Sequence, residues 1–201
     1  MAFPGFFATV PSIVMRDRLA EFLGASDDGL IEYGYADAVK LAGHSCPTVA
    51  GSYLLSSRVL RALYAEEIPL RGELLVDFRD AQESAVAGVI AAVVGLLTGA
   101  AGSGGFKGLA GRYTRRDLLR FGVADLPGEI RFTRQDNGQS VSASLQLGHV
   151  PPDPRLGPLL QELLAGRRDA EQPALFAELW QDRVRRILVE HFSDPGLVTL
   201  R

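Results

Sequence analysis

The sequence predicts an α+β fold in which a mostly antiparallel sheet packs against helices and a helical extension follows at the C-terminal end. Apolar residues recur at helical spacing over residues 47–67 and 176–188. Alternating patterns typical of strands occupy four segments, residues 31–35, 73–79, 129–134 and 140–148. The Asp-Asn-Gly sequence at 136–138 separates the last two segments and indicates a hairpin, so these strands are predicted to be antiparallel neighbours.

Two further helices complete the predicted core. One covers residues 12–23, where apolar side chains fall on one face, and the other covers residues 84–99, which are rich in Ala, Gly and Val. The second is followed by a glycine-rich loop at 99–108.

A proline-rich segment divides the chain. Pro151, Pro152 and Pro154 force an extended or turning backbone, so we predict an α+β core over residues 1–148 and a helical tail over residues 149–201. The apolar stripe of the second tail helix is expected to pack on the core or on a second copy of the chain. A homodimer is therefore predicted.

Composition restricts the partners and the compartment. The 21 basic and 24 acidic residues are interspersed and leave a net charge of -3, so no basic surface is available for nucleic acid. A single cysteine excludes an intramolecular disulfide and favours the reducing cytoplasm. Residues 84–106 carry no charge, but their small side chains favour a helix inside the protein over a membrane span. We therefore predict a cytoplasmic protein with no membrane segment.

His44 and Cys46 are the strongest candidates for chemistry. Proline is favoured at the first position of a helix, so Pro47 places Cys46 at or beside the N-cap, where the helix dipole stabilises a thiolate. His44 lies two residues earlier, and alternate residues of an extended chain point the same way. The imidazole and the thiol are therefore expected to face one small volume.

One sulfur and one nitrogen ligand suit a divalent metal ion, with zinc favoured. Such a site needs at least one more ligand. Asp80 and Glu83 follow a core strand and are the first candidates, and His149 comes next. His191 is expected to be a surface residue or a partner of the C-terminal helix.

Two other functions fit the same residues. In a thiol enzyme, His44 would deprotonate Cys46, and Cys46 would act as the catalytic nucleophile. In a non-catalytic module, the glycine loop, with the backbone N–H groups of Gly104 and Gly105 and with Lys107, would hold a small anionic or redox ligand together with the Cys46 pocket. The loop lacks both the P-loop pattern and the dinucleotide-binding pattern, so close packing competes with ligand binding as the reason for its glycines.

The sequence Gly-His-Ser-Cys-Pro at 43–47, the small-residue helix ending in Leu-Thr-Gly, the glycine loop and Lys107 resemble the FmdE domain family of formylmethanofuran dehydrogenase proteins. The resemblance covers approximately residues 35–141. It implies an α+β protein, often dimeric, whose metal site or active site is built on His44 and Cys46.

The chain departs from the family pattern at three positions and at its C-terminal end. Ala42 stands where many relatives have a further histidine, and apolar residues near Val89 and Ala92 stand where relatives have a cysteine and an aspartate. Helices replace the Cys-rich zinc ribbon of the family. The altered site is compatible with a different metal geometry, a small organic ligand or loss of the ancestral activity.

Overall fold

A computed structural model describes residues 3–166 and 169–201, and its 40% helix and 16% strand confirm the α+β class. The strands are β1 (Ile13–Arg16), β2 (Leu30–Tyr33), β3 (Leu74–Phe78), β4 (Leu119–Arg120), β5 (Ile130–Arg134), β6 (Ser140–Leu145) and β7 (Val198–Leu200). The helices are α1 (Arg18–Phe22), α2 (Tyr35–Ala42), α3 (Pro47–Tyr64), α4 (Ala87–Thr98), α5 (Leu156–Leu164) and α6 (Gln172–Arg185).

The main sheet has five strands in the order β4-β3-β5-β6-β7. Every pair is antiparallel except β3 with β4, and β1 and β2 form a separate antiparallel pair. The predicted hairpin between β5 and β6 is confirmed, with Ile130 opposite Ala143 and Phe132 opposite Val141. Ile130 and Phe132 are buried, as the alternating pattern requires of one face.

The predicted helix at residues 12–23 is wrong in its first half. This half is strand β1, in which Ile13 and Met15 are buried and Val14 is exposed, so burial alternates with a period of two although all three residues are apolar. The helix begins only after Asp17, whose side chain accepts hydrogen bonds from the N–H groups of Leu19 and Ala20 at 3.0 and 3.1 Å. Such an N-cap residue takes an extended backbone, which ends the strand and starts a short helix.

Helix α3 lies at the centre of the molecule, where it contacts α4 and β6. Gly51 allows this approach, because a Cβ at that position would lie 2.6 Å from a methyl carbon of Leu145. The buried hydroxyl groups of Ser52 and Ser56 donate to the carbonyls of Thr48 and Ser52, so both hydroxyl donors are satisfied inside the core.

The uncharged segment at 84–106 forms α4 and the loop after it. Gly99 ends the helix in the left-handed conformation, with a φ of 73° that favours glycine. In residues 3–166 and 169–201, no helix combines the length and the apolar composition that crossing a bilayer requires.

The C-terminal segment contains the two expected helices and one strand that the sequence pattern did not predict. After α6, a π-helical turn at Arg186–Glu190 leads to β7, which pairs with β6 and so adds the last strand to the main sheet. Val184, Ile187 and Leu188 are fully buried in the core of this chain. The homodimer stays a prediction, and these three side chains are not available to form its interface.

Candidate functional site

Cys46 is the N-cap of α3, as the sequence predicts. Its backbone is extended (φ -147°, ψ 167°), and its Sγ accepts a hydrogen bond from the Val49 N–H at 3.5 Å. Gly43 ends the preceding helix α2 with a φ of 74°, so only a short connection separates the helices. The Cys46 side chain is half-buried against the core.

His44 is an exposed side chain between the two helices. Its Nδ1 lies 2.9 Å from the carbonyl oxygen of Ala42, so the ring donates this hydrogen bond when Nδ1 carries the proton. In that tautomer, Nε2 keeps a lone pair for an external proton or a metal ion.

Helix α6 covers the motif through Ser45, a contact that the sequence did not predict. Trp180 Nε1 and Gln181 Nε2 both donate to the Ser45 carbonyl, at 3.0 and 3.2 Å. The Ser45 hydroxyl donates to Gln181 Oε1 at 2.9 Å and lies 2.9 Å from the hydroxyl of Tyr35. Burial raises the pKa of Tyr35, so this hydroxyl stays protonated at neutral pH.

The predicted acidic ligands lie on the surface. Asp80 and Glu83 are both exposed, and the Asp80 carboxylate lies 3.3 Å from Arg79 Nε. Asp80 also lines an apolar cavity of about 210 Å³ at the start of α4. Within the described parts of the chain, no three of the predicted ligands His44, Cys46, Asp80, Glu83 and His149 have their ligand atoms within 4.8 Å of one another.

Close packing explains at least one glycine of the glycine-rich loop, Gly105. A Cβ at Gly105 would lie 2.9 Å from the Cα of Arg116, so the two backbones approach more closely than a side chain permits. Gly104 borders a cavity next to α4, and Lys107 is exposed. Anion binding by this loop stays a prediction.

A different group of ligand atoms is assembled near the C-terminal end. His191 Nδ1 and His149 Nε2 lie 2.8 and 3.0 Å from the same oxygen of Asp194, Oδ2. The three ligand atoms lie within 4.8 Å of one another, and among residues 3–166 and 169–201 this is the one group of three or more His, Cys, Asp or Glu side chains that meets this criterion. We call it the His149/His191/Asp194 cluster.

The carboxylate of Asp194 is held in place by its neighbours. Its Oδ1 accepts the Gly196 N–H at 2.8 Å, and the backbone carbonyl of the same residue accepts a hydrogen bond from Arg58 of α3. A Cβ at Gly196 would lie 2.6 Å from His149 Cε1, so glycine makes room for the imidazole. The hydrogen bonds from His191 and from the Gly196 N–H lower the pKa of Asp194, which keeps the carboxylate ionised at neutral pH.

The cluster and the His44/Cys46 motif contact α3 at different places. Arg58, which anchors the cluster, follows Cys46 by twelve residues (46 to 58), and this is about 18 Å along a helix that rises roughly 1.5 Å per residue. The chain therefore presents two separate candidate sites.

Sequence reasoning missed two members of the cluster. His191 was expected to be a surface or helix partner, and Asp194 was not considered. A local signal was present, because His191 and Asp194 are three residues apart and Asp-Pro-Gly at 194–196 is a typical turn sequence.

No family model matches the sequence, and a comparison with curated proteins finds no match. The structure itself defines an α+β protein with a cluster of two histidines and one carboxylate, which lies between β6 and β7 along the chain. The resemblance to the FmdE domain family stays a prediction.

Proposed function

We propose that this protein binds a divalent metal ion, with zinc preferred, through His149, His191 and Asp194. The observation that carries the proposal is the convergence of three ligand atoms within 4.8 Å of one another. Two imidazole nitrogens and one carboxylate oxygen are a donor set that zinc sites use. The proposal keeps the predicted metal and one predicted ligand, His149, and moves the site away from His44 and Cys46.

The distances in the cluster are close to those of a zinc site. Tetrahedral ligands at zinc bond lengths of roughly 2.0–2.1 Å lie about 3.3 Å apart. Asp194 Oδ2 lies 2.8 Å from His191 Nδ1 and 3.0 Å from His149 Nε2, slightly less than this spacing, and all three ligand atoms lie within 4.8 Å of one another. Without metal, the same carboxylate accepts a hydrogen bond from each ring when its nitrogen is protonated.

A zinc ion held by these three protein ligands would have a fourth position open for water. Zinc sites with three protein ligands and one water are typical of catalytic sites, whereas structural sites have four protein ligands. In catalytic sites the metal activates the bound water as a nucleophile. The His149 side chain is 46% exposed, so solvent and small molecules reach the cluster. The proposal therefore extends to a hydrolytic role for the metal-bound water.

The chain offers a matched control for the metal test, because it has three histidines and one of them lies outside the cluster. Zinc titration of chelator-treated protein by calorimetry is expected to give one ion per wild-type chain. His191→Ala and Asp194→Asn are expected to weaken zinc binding by more than the roughly 10–100-fold that loss of an outer-shell partner costs. His44→Ala is expected to bind like the wild type.

The opposite pattern would contradict the proposal. Full binding by His191→Ala together with loss of binding by His44→Ala would place the metal at the motif at residues 43–47. Absence of zinc binding by the wild type would remove metal binding as the function.

We also propose, as a second function, thiol chemistry at Cys46. The observation that favours it is the hydrogen bond from the Val49 N–H to Sγ at a half-buried helix N-cap, because helix N-termini are positions where reactive cysteines occur. Alkylation of Cys46 by iodoacetamide at pH 7 is expected to be faster than alkylation of free cysteine under the same conditions. A rate equal to or below that of free cysteine would exclude an activated thiol.

We further propose a cytoplasmic location and a homodimer. A single free cysteine supports the reducing compartment. The homodimer rests on the resemblance to the FmdE domain family, whose members are often dimeric. The interspersed charges continue to argue against nucleic acid as a partner.

A further inference from the structure

A polar cavity lies between the start of α1, the segment that leads into β3 and the loop that precedes β4. Its volume is about 250 Å³, which is slightly below the size of typical drug-sized pockets, so it suits a small molecule. The charged residues that line it are three arginines and two acids, namely Arg18, Arg71, Arg115, Glu73 and Asp136. We call it the arginine cavity.

Two of the arginines share a single counter-charge. The carboxylate of Asp17 binds Arg115 Nη2 at 2.6 Å through one oxygen and Arg71 Nη1 at 2.8 Å through the other. Asp17 and Arg115 are buried, and Arg71 is 21% exposed at its side chain. One negative charge cannot neutralise two guanidinium groups, so one positive charge remains at the wall of the cavity.

The acids that line the cavity do not cancel this charge, because each is already paired. Glu73 binds Arg18 at 3.0 Å, and Asp136 binds both ends of the Arg134 guanidinium, at 3.0 and 2.7 Å. Arg134 also contacts Glu67, but that side chain is 68% exposed and its charge is screened by water.

Arg115 has an unused donor. Its Nη1 is buried and has no hydrogen-bond partner among the described residues. A buried donor without a partner is costly and is rare in folded proteins.

The Arg115 guanidinium is also fixed in position. It packs over Gly72 and Gly99, where an added Cβ would lie 1.6 and 2.6 Å from Nη1. Because the arginine is held before any ligand arrives, binding requires little further ordering.

We propose that the arginine cavity binds the phosphate group of a small molecule through Arg71, Arg115 and Arg18. A phosphate dianion neutralises the excess charge beside Asp17, and its oxygens match the planar donor arrangement of guanidinium groups. This site is independent of the metal proposal, since none of its residues belongs to the His149/His191/Asp194 cluster.

The test is a titration with inorganic phosphate at low ionic strength, followed by amide chemical shifts, with chloride at matched ionic strength as reference. Glycerol phosphate in a second series distinguishes a phosphate ester from free phosphate. Saturable shifts at Thr114 and Arg115 with a dissociation constant in roughly the millimolar range or below are expected. Absence of saturable shifts with both compounds would overturn the proposal.

Three exposed or half-exposed residues give variants with different expected effects. Arg18→Ala removes a positive charge and leaves Glu73 without its partner, so phosphate binding is expected to weaken about fivefold. Glu73→Gln removes a negative charge from the lining and is expected to strengthen binding about fivefold. Arg79→Ala removes a similarly exposed arginine outside the cavity and is expected to have no effect.

The opposite signs of the effects of Arg18→Ala and Glu73→Gln test the proposal without any substitution at the buried Arg115. General destabilisation cannot make Glu73→Gln bind more tightly than the wild type. Equal affinities in Arg18→Ala, Glu73→Gln and wild type would overturn the proposal.

Discussion

Asp17→Ala is expected to lower the free energy of unfolding by about 3–5 kcal/mol, because breaking a buried ion pair leaves uncompensated charge behind. Asp17 is 3% exposed and binds both Arg71 and Arg115. It also caps α1 by accepting the N–H groups of Leu19 and Ala20. One side chain thus joins the end of β1 and the start of α1 to the segment before β3 and to the loop before β4. Urea unfolding followed by circular dichroism measures the loss.

The control for this prediction is a surface aspartate. Asp80 pairs with Arg79 at 3.3 Å, and both side chains are about half exposed. Asp80→Ala is expected to change the free energy of unfolding by no more than about 0.5 kcal/mol, as is usual for surface ion pairs. A similar loss in the Asp17 and Asp80 variants would show that the buried network contributes no more than a surface pair.

The same Asp17 carboxylate makes stability depend on pH in a defined direction. Burial by itself would raise the pKa of Asp17, but the hydrogen bonds from Arg71 and the Ala20 N–H and the charge of Arg115 outweigh burial, so the pKa lies below its usual value. A lowered pKa in the folded state stabilises the fold above the unfolded value of about 3.9, and this contribution is lost as the pH falls through the folded pKa. The difference in stability between wild type and Asp17→Ala is therefore expected to be constant near neutrality and to shrink below about pH 4.

Zinc is expected to raise the melting temperature of the wild-type protein. A ligand that binds only the folded state at a hundred times its dissociation constant adds about 2.7 kcal/mol, which corresponds to roughly 5–10 °C for a chain of this size. The shift is expected to disappear in His191→Ala, to persist in His44→Ala, and to decrease at acidic pH because protons compete with the metal for imidazole nitrogens. Differential scanning fluorimetry with and without zinc measures it. An equal shift in both histidine variants would indicate binding elsewhere.

Local signals account for what the sequence predicted correctly. Pro47 and the apolar spacing that follows it define α3, and they place Cys46 at the N-cap. The Asp-Asn-Gly turn defines the hairpin of β5 and β6. Each of these features depends on residues within a few positions of one another, so it can be predicted from the sequence without knowledge of tertiary contacts.

Contacts between distant parts of the chain account for what was missed. Strand β1 is defined by its pairing with β2, and its neighbour Asp17 is buried where Arg71 and Arg115 bind it. Strand β7 exists because it adds to the edge of β6. In each case the stabilising partner comes from a distant part of the chain, so the local sequence pattern does not predict the contact.

The candidate metal site shows the same division. Sequence spacing could join His191 to Asp194, which are three residues apart, but not to His149, which precedes α5 and α6 in the chain. The sequence predicts a site at His44 and Cys46 because these residues are close in sequence and directly precede a helix. The fold instead brings together two histidines whose local sequence contains no metal-binding pattern.

Crystals grown with equimolar zinc, with anomalous scattering recorded on both sides of the zinc absorption edge, test the metal site most directly. We predict one anomalous peak at bonding distance, roughly 2.0–2.1 Å, from His149 Nε2, His191 Nδ1 and an oxygen of Asp194. A peak at His44 and Cys46, or no peak at either place, would contradict the proposed function.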